Sequence, residues 1–138
     1  RIQKPLAIVT FLVYMLAMVW LVLFKSGLYL EQLIRFGIPD LPRGISWNLY
    51  FNGAESLLNI GVFVPLGLLP PALWRGLRRL WKTALLCCVC SCLIEFFQLF
   101  IGRSVDVDDV ILNTLGGVLG YLLFALLWAL FSRRKARS

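Results

Sequence analysis

"VILNTLGGVLGYLLFALLWALF", Val110–Phe131, runs for 22 residues without a charge. Directly ahead of it, "GRSVDVDD", Gly102–Asp109, crowds Arg103, Asp106, Asp108 and Asp109 into eight residues. An apolar run of that length reads as a membrane-spanning helix, because a bilayer core of about 30 Å takes roughly 20 helical residues. The acids at its start then mark the membrane boundary, where charge stays in reach of water.

Three further runs repeat the pattern. "LAIVTFLVYMLAMVWLVLF", Leu6–Phe24, has no charge. "SLLNIGVFVPLGLLPPALW", Ser56–Trp74, is interrupted by Pro65, Pro70 and Pro71. "TALLCCVCSCLIEFFQLFI", Thr83–Ile101, holds one acid, Glu95. The 138 residues are 60% hydrophobic and 15% charged, where a soluble domain carries about a quarter charged residues. The sequence therefore predicts an all-α, polytopic membrane protein, a single domain over residues 1–138 with four spans near 6–24, 56–74, 83–101 and 110–131. The first run lacks a small-residue cleavage site and is longer than a usual signal core, so it reads as a retained span.

Basic residues give the orientation. Arg1, Lys4, Arg75, Arg78, Arg79, Lys82, Arg133, Arg134, Lys135 and Arg137 fall on one side with no acid among them. Lys25, Arg35, Arg43 and Arg103 fall on the other with six of the seven acids. Both termini are expected in the cytoplasm. The net charge of +7 is then a topology signal matched by anionic lipid headgroups, not a nucleic-acid footprint. The one long connection, Lys25–Glu55, opens with an amphipathic stretch, Leu28–Phe36, suited to a short interfacial helix. Gly37, Pro39, Pro42 and Gly44 then break regular structure, and Trp47, Tyr50 and Phe51 suit the headgroup zone.

Polar residues at membrane depth carry the functional signal. Glu95 and Gln98 are three apart and share a helix face with Gly102. Asn59 sits early in the second run. Asp109 and Asn113 are four apart, and Gly116, Gly117 and Gly120 continue their face. Asn59, Glu95, Gln98, Arg103, Asp106, Asp109 and Asn113 therefore map to one level, just inside the outer surface. A carboxylate there must face protein or water. Blander roles fit each residue singly: the amides as interhelical hydrogen-bond partners, Asp109 as a helix-start acid, Glu95 as a buried partner of Arg103. Asp108 is expected to point away and be solvated. Gly116-x-x-x-Gly120 reads as a close-packing face.

Asp106 and Asp109 suggest a divalent cation only weakly, and no other cofactor motif is present. The four thiols of "CCVCSC", Cys87–Cys92, fan around a helix in a chain without histidine, and read as small apolar residues. The three prolines of the second run are expected to bend or break it.

Two stretches, "NIGVFVPLGLLPP" (Asn59–Pro71) and "EFFQLFIGRSVDVDDVILNTLGGVLGY" (Glu95–Tyr121), together with the four-span layout, resemble the VanZ-like family from roughly Asn48 onward. Asn59, Phe63, Pro65 and Gly67 match one part of its signature. Glu95, Gln98, Arg103, Asp106, Asp109, Asn113, Gly116 and Gly120 match the other. The chain departs from the family pattern in "NLYFN", Asn48–Asn52, which lacks a proline. The resemblance implies a bacterial plasma-membrane protein. The family's namesake gives resistance to teicoplanin with little effect on vancomycin.

Three functions are consistent with this reading. In the first, the protein binds an amphiphile at the outer leaflet, either a lipoglycopeptide or a lipid-linked cell-envelope precursor. Arg103 would grip its phosphate or carboxylate, Glu95 and Asp109 would orient Arg103, and Asn59, Gln98, Asp106 and Asn113 would complete the pocket. In the second, Glu95 and Asp109 do acid–base or metal-assisted chemistry on a lipid-linked phosphate. In the third, the protein is a structural partner of other membrane proteins, and the face of Gly116 and Gly120 is what matters.

Overall fold

A computed structural model describes residues 3–23, 34–35, 37, 44–46, 53–100 and 105–135. In chain order these form α1 (Gln3–Leu23), β1 (Ile45–Ser46), α2 (Gly53–Leu73), a 3-10 turn (Arg75–Leu77), α3 (Leu80–Phe100), β2 (Val105–Asp106) and α4 (Val107–Lys135). Most of the expected interfacial helix, the aromatic residues Trp47, Tyr50 and Phe51, the "NLYFN" stretch and Arg103 lie outside the described residues.

Among the described residues, three helices are long and apolar enough to cross a membrane: Gly53–Leu73, Leu80–Leu99 and Val107–Arg133. The apolar part of α1, Pro5–Trp20, is shorter. Leucine is the commonest residue in these helices and loses little on becoming helical. Glu55 lies in the first turn of α2, and Asp108 and Asp109 in the first turn of α4, where the helix dipole favours negative charge. Leu57, Leu85, Leu93, Phe96, Leu119 and Leu126 are exposed on the outside, as lipid-facing side chains of spanning helices would be.

The helix α2 runs on through Pro65, Pro70 and Pro71, so the expected break does not occur. Each proline removes one N–H from the helical ladder, and other bonds hold this stretch in place. Tyr14 of α1 donates its hydroxyl to the Val62 carbonyl. At the lower end, the Trp74 N–H bonds to the Pro70 carbonyl at 2.7 Å, and Arg78 Nε donates to the Pro71 carbonyl at 3.1 Å.

The same arginine fixes the α2–α3 turn. Its guanidinium lies 4.1 Å from the Trp128 ring centre and 5.9 Å from that of Phe124, a cation–π arrangement. Tyr121 donates its hydroxyl to the Arg78 carbonyl at 2.8 Å, and Thr83 donates to the Leu77 carbonyl at 2.8 Å. The turn is thereby pinned to the lower half of α4.

Glycines set how closely α2 and α4 approach. A Cβ on Gly116 would overlap the Ile60 carbonyl, one on Gly120 the Val64 carbonyl, and one on Gly67 the Gly117 carbonyl. Gly117 in turn makes room for the Cys87 thiol of α3. Backbone therefore meets backbone along this seam, which only residues without a side chain permit. On its other side, α1 closes a core of Met18, Phe63, Leu66, Cys87 and Ile94.

One feature departs from the all-helical expectation. Ile45 pairs with Val105 and Ser46 with Asp106 in a short parallel ladder, and the Val105 N–H bonds to the Gly44 carbonyl at 3.1 Å. The long loop is thus tied to the segment that leads into α4.

Candidate polar site at one end of the bundle

The helix α3 presents Ser91, Glu95 and Gln98 at positions i, i+4 and i+7, which is one face of a helix. All three are buried. The helix α2 presents Ser56 and Asn59, both buried, and α4 presents Asp109 and Asn113. Three hydrogen bonds join these faces. Asn59 Nδ2 donates to Asp109 Oδ1, linking α2 to α4. Asn113 Nδ2 donates to Ser91 Oγ at 2.8 Å, linking α4 to α3. The Asp106 backbone N–H donates to Glu95 Oε2 at 2.9 Å, linking β2 to α3.

Glu95 and Gln98 are each 2% exposed and Asn113 is 1% exposed, so none of them is a surface side chain reaching into solvent. Charge this deep in an apolar bundle is retained only where hydrogen bonds or water receive it. The structure brings Asn59, Glu95, Asp106, Asp109 and Asn113 into one hydrogen-bonded neighbourhood, with Gln98 buried one turn above Glu95 on its face. Arg103 belongs to the part of the chain outside the described residues.

Several details differ from the sequence reading. Asp109 is the third residue of α4, in its first turn, and its carboxylate also accepts from Asn59. Asp106 enters through its backbone N–H. Asp108 is half-buried and its Oδ1 is shut off from solvent, where a solvated carboxylate was expected, because β2 and the start of α4 lie against the bundle. Ser91 and Ser56 went unnoticed in the sequence. Their signal was spacing: Ser91 is four residues before Glu95, and Ser56 three before Asn59, so each continues a polar face one turn along.

The thiols divide by position. Cys87 is buried against Gly117, Cys88 and Cys90 are half-buried, and Cys92 is exposed; all four are free. Among the described residues no three Cys, Asp or Glu side chains converge in a way that could hold a metal ion. The glycine face of α4 is consumed inside the bundle, since Gly116, Gly117 and Gly120 are all buried against α2 or α3.

A family model described as VanZ/LLP1 matches residues 11–128. The chain belongs to the VanZ/LLP1 family. It is 32% identical to Protein VanZ of Enterococcus faecium over 114 residues, which is 82% of this chain and 70% of that protein. No solved structure matches the chain. The matched segment contains every residue of the polar cluster, from Ser56 on α2 to Asn113 on α4.

Proposed function

We propose that this is a bacterial plasma-membrane protein with four spans, α1 being the first, and with both termini in the cytoplasm. Its outer polar cluster binds the headgroup of a membrane amphiphile, either a lipoglycopeptide or a lipid-linked envelope precursor. The observation that carries this reading is the convergence of buried polar side chains from α2, α3 and α4 at one level, joined by hydrogen bonds that cross between elements. Family membership supports a role in glycopeptide resistance of the teicoplanin type. Teicoplanin carries an acyl chain and vancomycin does not, so a protein that separates them acts where acyl chains enter the membrane.

Arg103 stands three residues before Asp106 and supplies the positive charge for a phosphate or carboxylate. Binding is favoured over catalysis by the way Glu95 is held. A backbone N–H aimed at Oε2 stabilises a carboxylate acceptor, which suits holding a ligand or an arginine better than passing a proton. The structural-partner reading is disfavoured because the glycine face is already occupied by α2.

The test is susceptibility to teicoplanin and vancomycin in a sensitive Gram-positive host expressing wild type, Asn59→Ala or Arg103→Ala at equal membrane abundance. Only wild type should protect, and only against teicoplanin. Equal protection by all three would show that the cluster serves packing alone.

A further inference from the structure

Below the Asn59–Asp109 and Glu95–Asp106 pairs lies a second polar layer. Asn113 is one helical turn beyond Asp109, and Ser91 one turn below Glu95, so both sit about 6 Å deeper. Asn113 Nδ2 is committed to Ser91 Oγ at 2.8 Å. Asn113 Oδ1 is buried and accepts no hydrogen bond, although the residue is 1% exposed. Nothing apolar would be lost by replacing this amide with leucine, and a buried acceptor without a donor is costly. An asparagine kept in such a place serves a donor that arrives from outside the chain.

We infer that Asn113 and Ser91 form the floor of the site and select a headgroup that carries a hydroxyl donor adjoining its anionic group, such as a polyol or sugar phosphate ester on a lipid. The inference rests on the binding role proposed above. The anionic part stays above the Asp109 and Glu95 carboxylates, and a hydroxyl reaches below them to the Asn113 carbonyl oxygen. A glycerol or a sugar ring carries hydroxyls along that path, past the carboxylates to the floor. Carboxylates line the upper layer and neutral groups line the floor, which suits an uncharged donor at the bottom. An ammonium headgroup would instead end at the upper layer.

The probes are phosphatidylglycerol and phosphatidylethanol titrated into the full-length protein and read by native mass spectrometry. Both lipids are phosphodiesters of equal charge, and only the first has headgroup hydroxyls. Wild type should bind phosphatidylglycerol about tenfold more tightly, the factor one hydrogen bond commonly supplies. Asn113→Leu should abolish the preference, lowering phosphatidylglycerol binding to the level of phosphatidylethanol. Ser91→Ala, a smaller change, should also shrink the preference by freeing the amide to turn, and it serves if Asn113→Leu does not accumulate. Equal binding of the two lipids by wild type overturns the floor and leaves the upper site standing. Binding of neither lipid likewise overturns the floor, while the upper site is decided by the susceptibility test above. A preference that survives both substitutions overturns the assignment to Asn113 and Ser91.

Discussion

Replacing Gly116 with alanine adds one methyl group, and the structure puts that methyl onto the Ile60 backbone carbonyl. Backbone cannot turn aside as a flexible side chain would. To regain ordinary contact α2 and α4 must part by roughly an ångström, a gap that forfeits a quarter to a half of the dispersion energy along the seam. Overpacking of this kind costs about 1–3 kcal/mol. Alanine returns up to about 1 kcal/mol through its better helix propensity, so the net loss should be about 1–2 kcal/mol, or roughly tenfold in the unfolding equilibrium. The matched control is Gly61→Ala, inside α2, where nothing lies within 4 Å of the added methyl; there propensity acts alone and the change should be neutral or stabilising. Reversible unfolding in mixed micelles would compare the two variants. Function should follow stability in a specific way, because Ile60 directly follows Asn59 of the Asn59–Asp109 bond and parting the helices stretches that bond. Gly116→Ala should therefore also weaken protection against teicoplanin at matched abundance. If both alanines shift stability by the same amount and in the same direction, the seam is not the close contact described here.

Other substitutions probe other parts. Glu95→Gln keeps an acceptor for the Asp106 N–H and should retain part of the resistance, whereas Glu95→Ala should abolish it; a Gln variant as inactive as Ala would favour proton transfer. Arg78→Lys keeps the charge but loses the planar stack on Trp128 and the Nε bond to Pro71, and should cost about 1–2 kcal/mol in the same unfolding assay. Tyr14→Phe removes the hydroxyl that reaches the Val62 carbonyl. It should cost about 1 kcal/mol and increase protease cleavage between α1 and α2.

The helices were legible from hydrophobicity, though their ends were not. The apolar runs predicted starts at Ser56, Thr83 and Val110, while the helices start at Gly53, Leu80 and Val107. The first turn of a spanning helix is where polar residues such as Glu55, Lys82 and Asp108 sit, and they leave no trace in an apolar run. That Asn59, Glu95, Asp109 and Asn113 gather near one end of the bundle could be read from spacing, because depth along a helix is set by residue number alone. Which residue meets which could not. Pairing depends on how each helix is rotated about its axis, and here the glycine seam between α2 and α4 fixes that rotation. Asp106 shows a different limit. What joins it to Glu95 is a main-chain N–H, a group every residue but proline possesses, so its side-chain type gave no warning of the role.

The short ladder between residues 45–46 and 105–106 also couples two distant parts of the chain. Asp106 is engaged from two sides: its main chain takes part in pairing with Ser46, and its N–H holds the carboxylate of Glu95. A shift of residues 44–46 is therefore passed through the ladder to the start of α4 and to Glu95. Both contacts run through main chain, so the coupling is indifferent to the side chain at position 106 and is cut by proline, which has no N–H to give.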